Sequence, residues 1–413
     1  MKLTSVLSRL VVALFVLVAL GTTQAQAFTG RIAYIDLEGR LATSAPDGSE
    51  TRTLTEADLR YQFPAWSPVS DTLAVIGANP GGSGVFIVKD EAGAKPKPLY
   101  QNLYEGPIYA YWSPDGRRLG FLSNVMGGLG LNIVPTDGVA EPKTRQIAVG
   151  NPVYWQWTQD GQRLLVHNGN NAPAGEVAFY TATGKIGTSI ARPGLFNAPG
   201  LSADERYLAY AELASGTTKI IVRGSQSGPK VRRAVPYQGL AAFTWSPAGN
   251  ELAIMSPSEN VRTPFGPLRL LDAENGELTT LIDARVLAFF WSPDGKKIAY
   301  LTTFQRGDGE MAEVSGRIYQ TVQDDPFLLE LHVVEVASGE DRLLTTFAPT
   351  GLFVDQFLPF FDQYALSHAL WSPGSDALVL PMQGQRNPEV VIVPLQGKAV
   401  SITSGEMPFW SRR

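Results

Sequence analysis

Cysteine is missing from all 413 residues. That excludes disulfides, thiol nucleophiles, thiolate metal sites and a lipid-bearing cysteine behind a leader. A chain of this length can build a core large enough to hold without covalent staples. Histidine is scarce as well: His167, His332 and His368 are the only three. They fall in distant parts of the chain, so no metal centre, and no cofactor, is expected. Charged residues make up 18% and the net charge is −5, with no run of Lys or Arg. Nucleic acid is therefore not an expected partner. Long apolar runs are also absent but for one, "LVVALFVLVAL" at 10–20, whose 11 residues are short for a membrane span.

That run has the surroundings of a secretory signal. Lys2 and Arg9 precede or open it, and "AQA" at 25–27 is a small-x-small cleavage site. Residues 1–27 read as a signal peptide, with the mature chain beginning at Phe28 and its charge moving from −5 to −7 with the loss of Lys2 and Arg9. Export to the periplasm, the cell envelope or the outside is the expectation, with no transmembrane segment after cleavage.

What the chain has in plenty is Gly (41) and Pro (29), the punctuation of a turn-rich all-β protein. "WSPDG" stands at 112–116 and again at 291–295. Close variants start at Trp66, Trp157, Trp245 and Trp371, with a degenerate "LSADE" at Leu201 and a closing "WS" at Trp410. The gaps are 46, 45, 44, 44, 46, 80 and 39 residues. Apart from the long one, this is the period of a propeller blade.

Each unit resolves into four short strands, a to d. Strand a runs into the Trp, strand b follows the turn ("RRLGFLS", "KKIAYLT"), strand c ends near a glycine and strand d is brief. The N-terminus supplies b, c and d without an a; "MPFWS" at 407–411 supplies the missing a. The spacing thus predicts an all-β, eight-bladed β-propeller over 28–413, closed by pairing of its N- and C-terminal strands. In the pentapeptide, Pro presets the turn, Asp suits the next position and Gly takes the left-handed one. No His accompanies the copies at fixed spacing. The motif is a structural stitch and not a reactive centre.

"FPAWSP", "YWSPDGRRLGF", "FFWSPDGKKIAY" and "PFWS" resemble the repeats of the TolB-like, WD-type β-propeller family. They are also similar to the non-catalytic propellers of prolyl-oligopeptidase-type enzymes. The first resemblance implies an α/β domain before a six-bladed propeller; here the propeller begins almost at once and has eight blades. The second implies an appended hydrolase domain with a G-x-S-x-G elbow, which this sequence lacks. Neither family's functional residues carry over.

The gap of 80 holds two insertions, near 303–327 and 348–367. One is a b–c loop and the other a d–a loop. Both therefore project from the same face, beside the mouth of the central channel. The second carries Phe353, Phe357, Leu358, Phe360, Phe361 and Tyr364 with acids at Asp355 and Asp362. Such a loop suits a partner surface, or packs down to roof the blade. The first contains Arg-Gly-Asp at 306–308, a tripeptide common by chance. Other d–a loops bring Arg60, Glu105, Arg192, Asn197, Gln238, Arg285 and Glu406 to the same face, and Arg60, Arg192 and Arg285 could converge on an anionic group. His368 lies just before strand a of the inserted blade and is the histidine nearest the axis.

The sequence shows no paired carboxylates, no metal-ligand spacing and no nucleophile–base pair. It reads as a secreted or periplasmic binding scaffold that presents one face to a protein or peptide partner, its oligomeric state open. The candidate contacts are Phe353, Asp355, Phe357, Phe360, Phe361, Asp362, Tyr364 and His368 with Arg60, Arg192 and Arg285. The alternative is a propeller hydrolase or lyase acting on a saccharide or peptide at the channel mouth, drawing its acid and base from Asp355, Asp362, Glu105 or His368. The channel discriminates: a wide pocket with facing carboxyls favours catalysis, and a filled one favours docking.

Overall fold

A computed structural model of the chain describes residues 28–413, apart from 138–141, 170–174, 195–196, 226–230, 238, 258–265 and 305–326. Residues 1–27, expected above to be a signal peptide, the first insertion with its Arg-Gly-Asp, and Gln238 lie outside the described residues.

Eight antiparallel sheets follow one another along the chain, which is the eight-bladed propeller the repeat predicts. Blade 1 joins Ile32–Ile35, Leu41–Ser44 and Arg52–Thr53 to the C-terminal strand Glu406–Trp410. Ile32 pairs with Trp410 and Ala33 with Phe409, so the two ends close the ring. Six further inner strands are Arg60–Trp66, Pro107–Trp112, Val153–Trp157, Gly200–Leu201, Ala242–Trp245 and Ala288–Trp291, in blades 2 to 7. In blade 8 the inner strand shrinks to two bridges, Trp371 to Leu378 and Ala369 to Trp410.

The second strands alternate less than half-buried strands do. Leu73 to Ile76 are all at or near zero exposure, because each blade is packed on both faces by its neighbours. The outermost strands carry the exposed residues, as Gly184–Ala191 shows.

The motif tryptophan does more than fill space between blades. The Trp112 indole N–H donates to the Ala65 carbonyl at 3.0 Å, Trp66 to Phe409 at 3.1 Å, Trp157 to Tyr111 at 3.3 Å, Trp291 to Thr244 at 3.2 Å and Trp371 to Phe290 at 3.0 Å. In every case the acceptor is the residue just before the motif position of the preceding blade. Each bond is worth about 1 kcal/mol net, and more where loss would strand a buried carbonyl. The series breaks at blade 1, where Trp410 donates to the Thr29 carbonyl at 2.8 Å in place of one in blade 8, and at blade 5, where Leu201 has no donor; there the Gln156 side chain accepts the Leu201 N–H at 2.7 Å. By the same rule Trp245 should donate to Gly200, yet its indole N–H has no acceptor. Gly200 is needed at that spot, since a Cβ would sit 2.7 Å from Trp245 Cδ1.

The turns follow the expected chemistry. Gly116 has φ +67° and Gly295 has φ +69°, and Gly116 N–H donates to the Ser113 carbonyl at 2.9 Å. The motif Ser or Thr adds a clasp: Ser113, Thr158 and Ser292 each donate to the motif Asp at 2.6 Å.

Candidate functional site

The second insertion does not stand above the rim. It enters the central channel and fills it. After a π-helical turn (Phe353–Phe357) and a 3-10 turn (Leu358–Phe360) comes a short helix, α1 (Phe361–Ser367). Phe353, Phe357, Phe361, Tyr364 and His368 recur at helical spacing, and each is at most 4% exposed. Burial of these rings stabilises the segment by roughly 1.5–3 kcal/mol apiece.

The partners are the inner strands around the ring. Phe357 stacks on Phe409 of blade 1 at 5.7 Å and on Phe290 of blade 7 at 6.0 Å. Phe361 meets Phe289 edge-on at 5.2 Å. Tyr364 stacks on Phe63 of blade 2 at 5.1 Å and stands edge-on to Tyr109 of blade 3 at 5.2 Å. Phe63 has φ +51° at a bulge in its strand, and Met407, three residues before Trp410 as Phe63 is before Trp66, has φ +50°. Both inner strands therefore spend backbone strain where they face the plug.

An inner strand leaves backbone N–H and C=O groups unpaired toward the channel, and these need partners when water is excluded. Plug side chains supply them. The Gln363 amide oxygen accepts the Trp155 N–H at 3.0 Å, while its nitrogen donates to the Trp155 carbonyl at 3.0 Å and to Tyr109 Oη at 3.1 Å. The Asp362 carboxylate accepts N–H groups from Ala198 of blade 5 at 3.2 Å and from Gln363 at 2.9 Å. His368 lies 3.4 Å from the Phe63 carbonyl through Nε2 and 2.6 Å from Ser367 Oγ through Nδ1. A neutral imidazole with its proton on Nε2 satisfies both.

Burial sets the protonation of these groups. It pushes the Asp362 carboxyl up to about 6 against two stabilising backbone donors. It holds His368 down at about 3. His167, buried in blade 4, is held down at about 4 for the same reason.

The candidate contacts thus divide. Phe353, Phe357, Phe361, Asp362, Tyr364 and His368 are brought together inside the channel. Phe360, at 39% exposure, and Asp355 show at its mouth. Arg60, Arg192 and Arg285 are exposed and stand on blades 2, 4 and 6, a quarter-turn apart around the ring. Asn197 is buried, its side-chain oxygen accepting the Tyr237 hydroxyl at 3.0 Å. Gln363, the residue that joins the plug to two blades, escaped the sequence reading, as did the inner-strand aromatics that receive the plug. A helical stripe at 353, 357, 361, 364 and 368 was the available signal. Among the described residues no group of His, Asp and Glu is arranged to hold a metal ion.

No known protein-family profile matches the chain, and no curated protein does. Solved structures do. The chain is similar to a structure described as the eukaryotic initiation factor, at 13% identity, covering 93% of this chain and 99% of that one with a TM-score of 0.54. It is also similar to prolyl oligopeptidase B from Galerina marginata, at 12% identity over 84% of this chain and half of that one, with a TM-score of 0.52. TolB from Acinetobacter baumannii aligns at 14% identity over 93% of this chain and 67% of that one, with a TM-score of 0.42. Identities this low speak for the propeller fold alone.

Proposed function

We propose that this chain is an exported, non-catalytic binding scaffold that presents its plugged face to a protein or peptide partner. The filling of the channel by the chain's own aromatic segment carries this reading, because it removes the axial cavity in which a substrate would lie. Two of the four groups available to an axial enzyme, Asp362 and His368, are committed to backbone partners inside the plug.

The plugged face also bears apolar side chains that nothing in the ring covers. Tyr104 is 86% exposed and Met126 99%. Tyr104 belongs to the d–a loop of blade 2 and Met126 to the b–c turn of blade 3, on the same face as Phe360. Exposed aromatic and Met side chains of this kind mark interaction surfaces. Asp355, Phe360 and the three arginines would contribute around them.

Photo-crosslinking in the native host tests the reading. A crosslinker at Phe360 or Tyr104 should give one discrete adduct, and a crosslinker at Asp115, in a turn on the opposite face, should not. The same adducts from both faces, or none from either, would contradict it.

A further inference from the structure

A second site candidate lies away from the axis, between blades 6 and 7. A cleft of about 580 Å³ opens between the outer strand of blade 6, Leu278–Val286, and the second and third strands of blade 7, Lys297–Thr303 and Leu329–Glu335. That volume is in the range of small-ligand sites.

Tyr300 pairs with His332 across blade 7. At the His332 position blades 1, 2, 4, 5 and 8 carry Ala42, Phe86, Ala178, Ile221 and Val391, while blades 3 and 6 carry Asn132 and Arg269. A polar residue at this position is shared by three blades; blade 7 sets carboxylates around its own. The His332 ring stacks on Tyr300 at 4.9 Å. Glu330 lies 3.6 Å from its Nε2 and Asp341 3.7 Å from its Nδ1, both too long for hydrogen bonds. His332 Nδ1, closed off from solvent, has no hydrogen-bond partner. Thr302 donates to Glu330 at 3.2 Å and holds that carboxylate at the cleft wall. Burial, with Asp341 beside it, pushes the Tyr300 hydroxyl well above its ordinary value, so it stays a neutral donor.

The charge on the walls is lopsided. Among the described residues, Glu330, Asp341 and Asp283 line the cleft against one guanidinium, Arg285. A polar cavity with surplus carboxylate and with hydroxyl donors is matched by a cation that also offers hydrogen bonds.

We propose that the cleft between blades 6 and 7 binds a guanidinium or ammonium group, held between Glu330 and Asp341 beside the Tyr300–His332 stack. The cleft shares Arg285 with the rim of the plugged face, but its carboxylates stand off the axis and the proposal does not depend on the reading given for that face. The cation could belong to a free amine or to a side chain of a peptide.

Calorimetric titration of the full chain with agmatine, and separately with acetyl-Gly-Arg-Gly-amide, tests the proposal and distinguishes the two sources. Binding of agmatine alone identifies a free amine, of the peptide alone a side chain, and of both an open site; each supports it. The Glu330→Gln/Asp341→Asn double variant should weaken the bound probe by roughly five- to tenfold, while Glu91→Gln, in an exposed turn of blade 2, leaves it unchanged. An experiment on the unaltered protein guards against misfolding of the variant. Of three imidazoles, two are buried in the core, so the probe should shift the NMR signals of His332 and leave those of His167 and His368 in place. No binding of either probe, undiminished binding by the double variant, or an unmoved His332 signal would overturn the proposal.

Discussion

Asp362 is buried in the channel, and among the described residues no cation pairs with it. Its folded pKa, about 6, lies above the ordinary carboxyl value. A raised carboxyl pKa means that the folded state holds the proton more tightly than the unfolded chain does. Stability is therefore lost as pH rises through the interval from about 4 to about 6, and stays lost above it. Asp362→Asn removes the charge but keeps an acceptor for only one of the two N–H groups, because Ala198 donates to one carboxylate oxygen and Gln363 to the other. The lost hydrogen bond is a constant offset, whereas the charge acts only above the carboxyl's titration. The stability of the variant relative to the parent should therefore rise by about 1–3 kcal/mol between pH 3.5 and pH 7.5, read from urea midpoints at the two pH values. His167 and His368, held neutral by burial, weaken both proteins alike on acidification and cancel in the comparison. A difference that is the same at both pH values would place Asp362 in water.

The blade unit shows how a local signal becomes a long-range one. The turn chemistry of Ser-Pro-Asp-Gly is complete within five residues, which is why it was legible in the sequence. The tryptophan that precedes it acts across blades, through an acceptor some 46 or 47 residues away, and spacing alone could not show that bond. Trp112→Phe should cost about 1–3 kcal/mol, since it leaves the Ala65 carbonyl without its donor. Trp245→Phe, whose indole N–H has no acceptor, should cost roughly 1 kcal/mol less. Chemical denaturation of the two variants decides it; equal losses would show that the indoles act only by volume. The plug was legible in part. Its aromatic content and helical spacing can be read at 353–368, but whether such a segment roofs a rim or enters a channel depends on a cavity built by eight other segments. The cleft of blade 7 was less legible still, because Tyr300, His332 and Asp341 become neighbours only through strand register.

In the whole ring, stability rests on closure at two seams. One is the pairing of Ile32–Ile35 with Glu406–Trp410. The other lies next to it, where the buried Asp90 of blade 2 receives Arg31 at 2.6 Å, Arg52 at 3.0 Å and the Thr43 hydroxyl at 2.6 Å, all from blade 1. Asp90→Ala would leave two partly buried guanidinium groups with only the exposed Glu50 as counter-charge and should cost about 2–4 kcal/mol, visible as a lower melting temperature. An unchanged melting temperature would mean that the seam is held by strand pairing alone.

The plug ties these levels together, since it touches inner strands around the ring and decides what the axis can do. Native-state amide hydrogen exchange of residues 353–368, followed by mass spectrometry, tests it most directly. A channel-filling segment should exchange as slowly as the inner strand Pro107–Trp112, on the timescale of global unfolding. Exchange within seconds, at the rate of an exposed loop, would contradict a filled channel and with it the reading of the plugged face as a docking surface.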